Sequence, residues 1–161
     1  MSSLIDWTAS QISGLYAPQH TSGANAAQLT KTPLDLSAFA PDAEIHLNHT
    51  RVDLDKYREF VESQRAGATE VECKPEDLIE TPVEEGNPEA GSIVAGKATL
   101  VRTYPFLLRA APMQTSTVIS FSAKILNKDS KPQIVQLFQT TADKPVQVNL
   151  QTPHSVDASA L

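Results

Sequence analysis

The sequence predicts a single α+β domain in which helices cover one face of a curved antiparallel sheet. Three observations lead there. Apolar residues recur at helical spacing before Gly67 and with a period of two after it. Turn-forming residues separate the later runs at hairpin spacing. Helices and strands are thus segregated along the chain, which stacks helices on one side of a sheet. At 161 residues there is room for one domain, taken as 1–151, followed by a mobile tail at 152–161. A chain of this size buries roughly 68–70% of its unfolded surface and needs neither disulfides nor metals for a core.

Residues 3–17 open the order as a helix carrying Leu4, Trp7, Ile12, Leu15 and Tyr16. Small and polar residues at 17–33 read as a long loop with a helical turn at 24–29. A short second helix fits Leu34 to Phe39, ended by Pro41 after Ala40. Ala43 to Asn48 alternates as a strand, Ile45 and Leu47 facing one way and Glu44, His46 and Asn48 the other. The next helix has Asp53 as its cap and a staple between Val52 and Tyr57. Its buried stripe is Leu54, Tyr57, Phe60 and Val61. Asp55 suits its first turn and Arg65 its last, and Gly67 supplies a left-handed exit.

Thr69 to Cys73 and Leu78 to Pro82 look like pieces of one strand interrupted near Pro75. Ser92 to Tyr104 is a long strand with Val94, Gly96, Ala98, Leu100 and Arg102 on one face. Its other face mixes Ile93, Ala95 and Val101 with Lys97 and Thr99. Pro105 must bend or bulge it, because proline cannot donate to the ladder. Ser116 to Leu126 alternates again, and 127–132 is turn chemistry before a strand at Gln133 to Thr141. A turn at 141–145 would lead into a last strand bearing Val146, Val148 and Leu150.

Composition narrows the function classes. The net charge is −6 and the pI about 5.1, a balance that argues against nucleic-acid binding. No basic cluster suits an anionic membrane, and no apolar run approaches the ~18–20 residues of a span. Eight acidic residues against Lys74 crowd positions 70–90, read as a solvated edge rather than a metal site. Cys73 is the one cysteine, so no intrachain disulfide or thiolate zinc cluster forms, and it reads as a small buried hydrophobe. The N-terminus has neither a basic start nor a long apolar run, which points to the cytoplasm and makes the sequon at Asn48-His49-Thr50 a chance match.

The N-terminal helix with Trp7, then "LDLSAFAPDAEIHLNH" and "DLDKYREFVESQ", resembles the nuclear transport factor 2-like proteins, and within them the SnoaL-like branch. The strands "GSIVAGKATLVRTYPFLLRA" and "TSTVISFSAKI" carry the resemblance on to about residue 141. It implies a cone, that is, a strongly curved antiparallel sheet wrapped around the N-terminal helices with a pocket at its open end. It also implies dimerisation through the sheet. Enzymes of this kind include polyketide cyclases, dehydratases, isomerases and epoxide hydrolases without a shared motif, and other members bind without catalysis. Limonene-epoxide-hydrolase-like members use an Arg and two Asp around a water; Arg102 is a candidate for that arginine, but two interior aspartates cannot be placed. His46 and the tyrosines are the types found in scytalone-dehydratase-like members.

These residues define the candidates. Catalytic work falls to His46 as acid or base, Arg102 as electrostatic clamp and Tyr57 as positioning group. Trp7, Tyr16, Asn48, Phe60, Tyr104 and Phe121 are candidate ligand contacts, each also suited to core filling. His46 faces the pocket only if the polar set of its strand points inward; with Ile45 and Leu47 under the helices it lies on the outer or dimer face. Arg102, among apolar neighbours, needs a paired carboxylate or a ligand. The expected function is a small-molecule binding protein with an apolar pocket, working as a cofactor-independent isomerase, cyclase or dehydratase on a polyketide- or terpenoid-like compound. The alternative is a non-catalytic ligand-binding or dimerisation module. Apolar residues on both faces of the long strand predict a homodimer through the outer face.

Overall fold

The computed structural model describes residues 3–16, 34–108 and 110–144. Helix α1 spans Leu4–Tyr16. It starts where Ser3 Oγ accepts from the Asp6 amide at 3.1 Å and donates to the Asp6 carboxylate at 2.9 Å, a reciprocal N-terminal lock. Helix α2 spans Leu54–Arg65. The Asp53 carboxylate accepts from the Lys56 amide at 2.7 Å, and Gly67 at φ +74° provides the exit. Its Tyr57 and Val61 are fully buried.

The sheet comprises β1 (Phe39–Leu47), β2 (Thr50–Val52), β3 (Glu70–Pro82), β4 (Ser92–Leu108), β5 (Ala111–Lys128) and β6 (Lys131–Lys144). Their order is β2-β1-β6-β5-β4-β3. β1 pairs parallel to β6 and every other pair is antiparallel, so the sheet is mixed. A 3₁₀ turn at Pro88–Ala90 links β3 to β4. Asp129 and Ser130, both at positive φ, close the β5–β6 hairpin as a two-residue turn. Ile45, Val94, Leu100, Ile119, Ile134 and Leu137 point from the sheet into a core shared with Ile12, Tyr16, Tyr57 and Val61 of the helices.

Several local expectations give way to tertiary structure. The helix expected at Leu34 to Phe39 does not form. Asp35 Oδ1 accepts from the Ser37 amide at 2.9 Å, a local turn that competes with helix, and Phe39 already belongs to β1. β3 runs through Pro75 without a break, because an edge strand does not need that amide. Its irregularity falls instead at Asp77 and Leu78, which face Gly96. β4 continues past Tyr104 to Leu108, with the expected distortion at Pro105 appearing as a register shift between Thr103 and Leu107. No turn interrupts β6 before Lys144, since β5 supplies partners as far as Ser116. The turn at 24–29, Val146, Val148 and Leu150, and the tail from 152 lie outside the described residues.

Candidate functional site

Three polar side chains meet inside the cone. Tyr57 on α2 donates its hydroxyl to Gln139 Oε1 at 3.1 Å, and Gln139 Nε2 donates to the Tyr16 hydroxyl on α1 at 2.7 Å. All three are buried. Gln139 projects inward because it shares a ladder position with Leu47 on β1 and Phe121 on β5. Burial pushes the Tyr16 phenol up to about 12 and holds Tyr57 well above its ordinary value. Both phenols therefore stay protonated at neutral pH and are not bases. Cys73 faces the same interior, where burial raises its thiol to about 12 and keeps it unreactive.

Arg102 also points inward from β4 and is buried. Its Nε donates to Thr115 Oγ1 at 3.0 Å and its Nη2 to Thr117 Oγ1 at 2.6 Å. Nη1 donates to the side-chain oxygen of Gln64 and, at 3.5 Å, to its carbonyl. Asp143 Oδ1 stands 3.6 Å from Nη2 and accepts from Thr117 Oγ1 at 2.6 Å. Each guanidinium nitrogen thus has an acceptor within the chain. The carboxylate that a buried arginine requires is Asp143, supplied by β6, and the planar fork ties three strands to the end of α2.

His46 occupies the other face. Ladder positions place it beside Phe138 and, one strand further, Ser122, whereas Ile45 and Leu47 point to the helices. Its ring stacks on Phe138 with centroids 4.7 Å apart and planes 11° apart. Nε2 lies 2.7 Å from Glu44 Oε1, and Gln136 Nε2 donates to the other oxygen of that carboxylate at 3.1 Å. The sheet therefore separates His46 from Tyr57 and Arg102. Asn48 sits in the β1–β2 turn at positive φ, its Oδ1 accepting from the Thr141 amide at 2.9 Å.

The remaining candidates divide in the same way. Tyr16 and Phe121 are core residues, and Trp7 and Phe60 pack half-buried against that core. Tyr104 stacks on Phe106 at the β4–β5 hairpin, 5.6 Å between centroids. Gln139, Thr117, Asp143 and Phe138 escaped the sequence reading, which set Glu44 on the face of His46 without pairing the two. Alternation along β6 could have flagged Gln139, but a register shift next to Ile134 changes the parity that alternation assumes. Among the described residues, no group of His, Cys, Asp and Glu is arranged to hold a metal ion, and no helix is long and apolar enough to cross a membrane. A shallow groove of about 310 Å³ lies on the outer face, lined by Asp77, Ile79, Ala95, Lys97 and Ser120 over Gly96 and Phe121.

No protein-family model and no curated protein matches this chain. Solved structures do resemble it. A SnoaL-like polyketide cyclase from Agrobacterium tumefaciens superposes with a TM-score of 0.50 at 14% identity, covering 88% of this chain and 93% of that one. IdmH from Streptomyces antibioticus, a candidate polyketide cyclase, gives 0.50 at 18% identity over 84% and 90%. Mtr2 from Candida albicans gives 0.50 at 10% identity over 85% and 92%. At such identities the likeness is one of fold. The chain has the α+β cone fold of SnoaL-like and nuclear transport factor 2-like proteins.

Proposed function

We propose that this chain is a non-catalytic binding module that pairs with a second copy of itself through the outer face of its sheet. The observation that carries the reading is a cross-sheet row of outward side chains, Ile79, Ala95, Ser122, Phe138 and His46. Phe138 is 45% and Ile79 67% exposed, although a sheet face turned to water normally carries polar residues. The division of His46 from Tyr57 and Arg102 removes the imidazole from the interior, where proton transfer would need it. Sedimentation velocity tests the reading. Wild type should sediment as a dimer at micromolar concentration, and Phe138→Ser or Ala95→Lys should weaken the dimer tenfold or more. A wild-type monomer overturns it.

The Tyr16–Gln139–Tyr57 cluster favours a second reading, a small-molecule site in the cone. Two protonated phenols and an amide in a buried interior can orient a carbonyl of a polyketide-like compound. Here Tyr16 acts as donor, Tyr57 holds Gln139 in place through the bond it already donates, and Trp7, Phe60 and Phe121 supply apolar wall. Quenching of the one tryptophan by a hydroxylated anthraquinone measures it. Saturable quenching lost in Gln139→Leu supports this reading, and its absence in wild type counts against it.

A further inference from the structure

We infer that the projecting end of the β4–β5 hairpin enters the surface of a zwitterionic lipid bilayer, with Phe106 and Leu107 as the inserting side chains. The inference stands on the hairpin alone and is independent of the self-pairing proposed above.

The hairpin outruns its neighbours. On one side β3 pairs with β4 from Glu70 opposite Thr103, and on the other β6 pairs with β5 as far as Lys144 opposite Ser116. Beyond those positions β4 and β5 pair only with each other among the described residues, Leu107 with Pro112 and Leu108 with Ala111. Tyr104 is half-buried at the base of this projection, its ring close to Gly67 at the end of α2. Phe106 stacks on Tyr104 and so stands on the same side of the strand.

Both sides of the projection are apolar and wet. Phe106 and Leu107 are consecutive in the strand and point to opposite faces, yet Phe106 is 56% and Leu107 67% exposed. Pro105, Ala110, Ala111 and Pro112 are exposed around them. A second copy laid against the outer face covers the Leu107 side at most and leaves Phe106 in water. A protein partner would need a socket closed round the projection, whereas a fluid apolar phase surrounds both faces without one. From Phe106 to the turn at Ala110 the strand spans roughly 13 Å, enough for the ~5–10 Å depth of an interfacial insertion. Pro105 and Pro112 carry no amide hydrogen, which removes two donors from the backbone that meets lipid.

Negative charge sits elsewhere. Between Arg102 and Lys124 the sequence carries one charged residue, Arg109, and no acid. The carboxylates nearest the projection on the flanking strands are Glu70, opposite Thr103, and Asp143, opposite Thr117 and close to Arg102. Glu84, Glu85 and Glu89 precede Ser92, which at roughly 3.3 Å per residue lies about 50 Å from Leu107 along β4. That is several Debye lengths at physiological salt, so the net charge of −6 does not hold the projection off a membrane. With no basic cluster to draw it to anionic lipid, insertion depends on apolar area, and binding is indifferent to lipid charge and to salt.

Flotation with phosphatidylcholine vesicles tests the inference. Wild type should be half bound at about 0.1–1 mM lipid, the range of a single shallow anchor. Phosphatidylserine in the vesicles or high salt should leave that value unchanged. Phe106→Asp and Leu107→Asp should each weaken binding at least tenfold with an unchanged circular dichroism spectrum, because both faces insert. Phe106→Trp keeps an aromatic ring against Tyr104 and should float as wild type does. Its added emission should shift to the blue on vesicles and be quenched by brominated acyl chains, with the Trp7 signal of wild type as the control. Wild type that stays in the soluble fraction overturns the inference and leaves a protein socket as the partner. Binding that survives either aspartate variant, or that needs phosphatidylserine or low salt, overturns it as well. A wild-type monomer that floats overturns only the self-pairing.

Discussion

His46 lies flat against Phe138, ring centroids 4.7 Å apart, on the side of the sheet that Tyr57 does not face. The stack joins β1 to β6 across their parallel pairing, and Glu44 and Gln136 extend it as a hydrogen-bonded row. An imidazole held this way shapes a surface. It cannot exchange protons with the interior cluster without the sheet coming apart.

That row makes stability depend on acidity through Glu44. The hydrogen bond from His46 holds the Glu44 carboxyl below its ordinary value, with Gln136 and Arg51 helping. A carboxylate with a depressed folded-state pKa contributes stability above its unfolded value and loses it as pH falls through the folded one. The melting temperature of wild type should therefore drop further than that of Glu44→Gln between about pH 5 and pH 3. Parallel curves would show that the row adds nothing.

Alkali should act through the cone interior. Burial raises Tyr16 to about 12 and Tyr57 well above 10. Groups with raised folded-state values contribute stability that is complete below the unfolded value and lost as pH rises towards the folded one. For Tyr16 alone the loss approaches about 2–3 kcal/mol. Phenolate absorbance from these two tyrosines should appear together with the collapse of far-ultraviolet circular dichroism. Ionisation in a still-folded chain would contradict their burial.

Arg102 separates geometry from charge. Arg102→Lys keeps the charge but loses the fork that reaches Thr115, Thr117 and Gln64, and should cost about 2–3 kcal/mol in urea unfolding. Asp143→Asn should cost under about 1 kcal/mol, since the Asp143 side chain is 78% exposed and the ion pair is screened by solvent. A larger loss in Asp143→Asn than in Arg102→Lys would mean that the ion pair, and not the hydrogen-bond fork, holds the three strands.

Two glycines should respond with opposite signs. At Gly91 the backbone has φ +88°, and a Cβ would stand 2.4 Å from the Ile125 carbonyl oxygen. Gly91→Ala should therefore destabilise by about 2 kcal/mol or more. Gly14 is exposed on α1 and a Cβ there meets nothing within 4 Å, so Gly14→Ala should stabilise by up to about 1 kcal/mol. Thermal melts of the two variants decide both.

Helix α2 was legible residue by residue. Its cap, stripe and glycine exit are local, and a stripe of Leu54, Tyr57, Phe60 and Val61 has only one periodicity to follow. The alternations of β4 and β5 were equally plain, and so was the hairpin turn between β5 and β6. From these alone the sequence determined an α+β domain with helices on one face of a sheet. The interior of the site was not legible in the same way. Gln139 meets Tyr16 and Tyr57 across 123 and 82 positions of chain, and Arg102 finds Asp143 only because β5 pairs with both β4 and β6, one on each side. His46 shows the limit most simply. Strand alternation says that it opposes Ile45 and Leu47, but both faces of β1 are chemically eligible to be the inner one. Only the packing of α2 over β1, with β6 laid parallel beside it, chose the face, because burial is a property of the assembled layers and not of the strand.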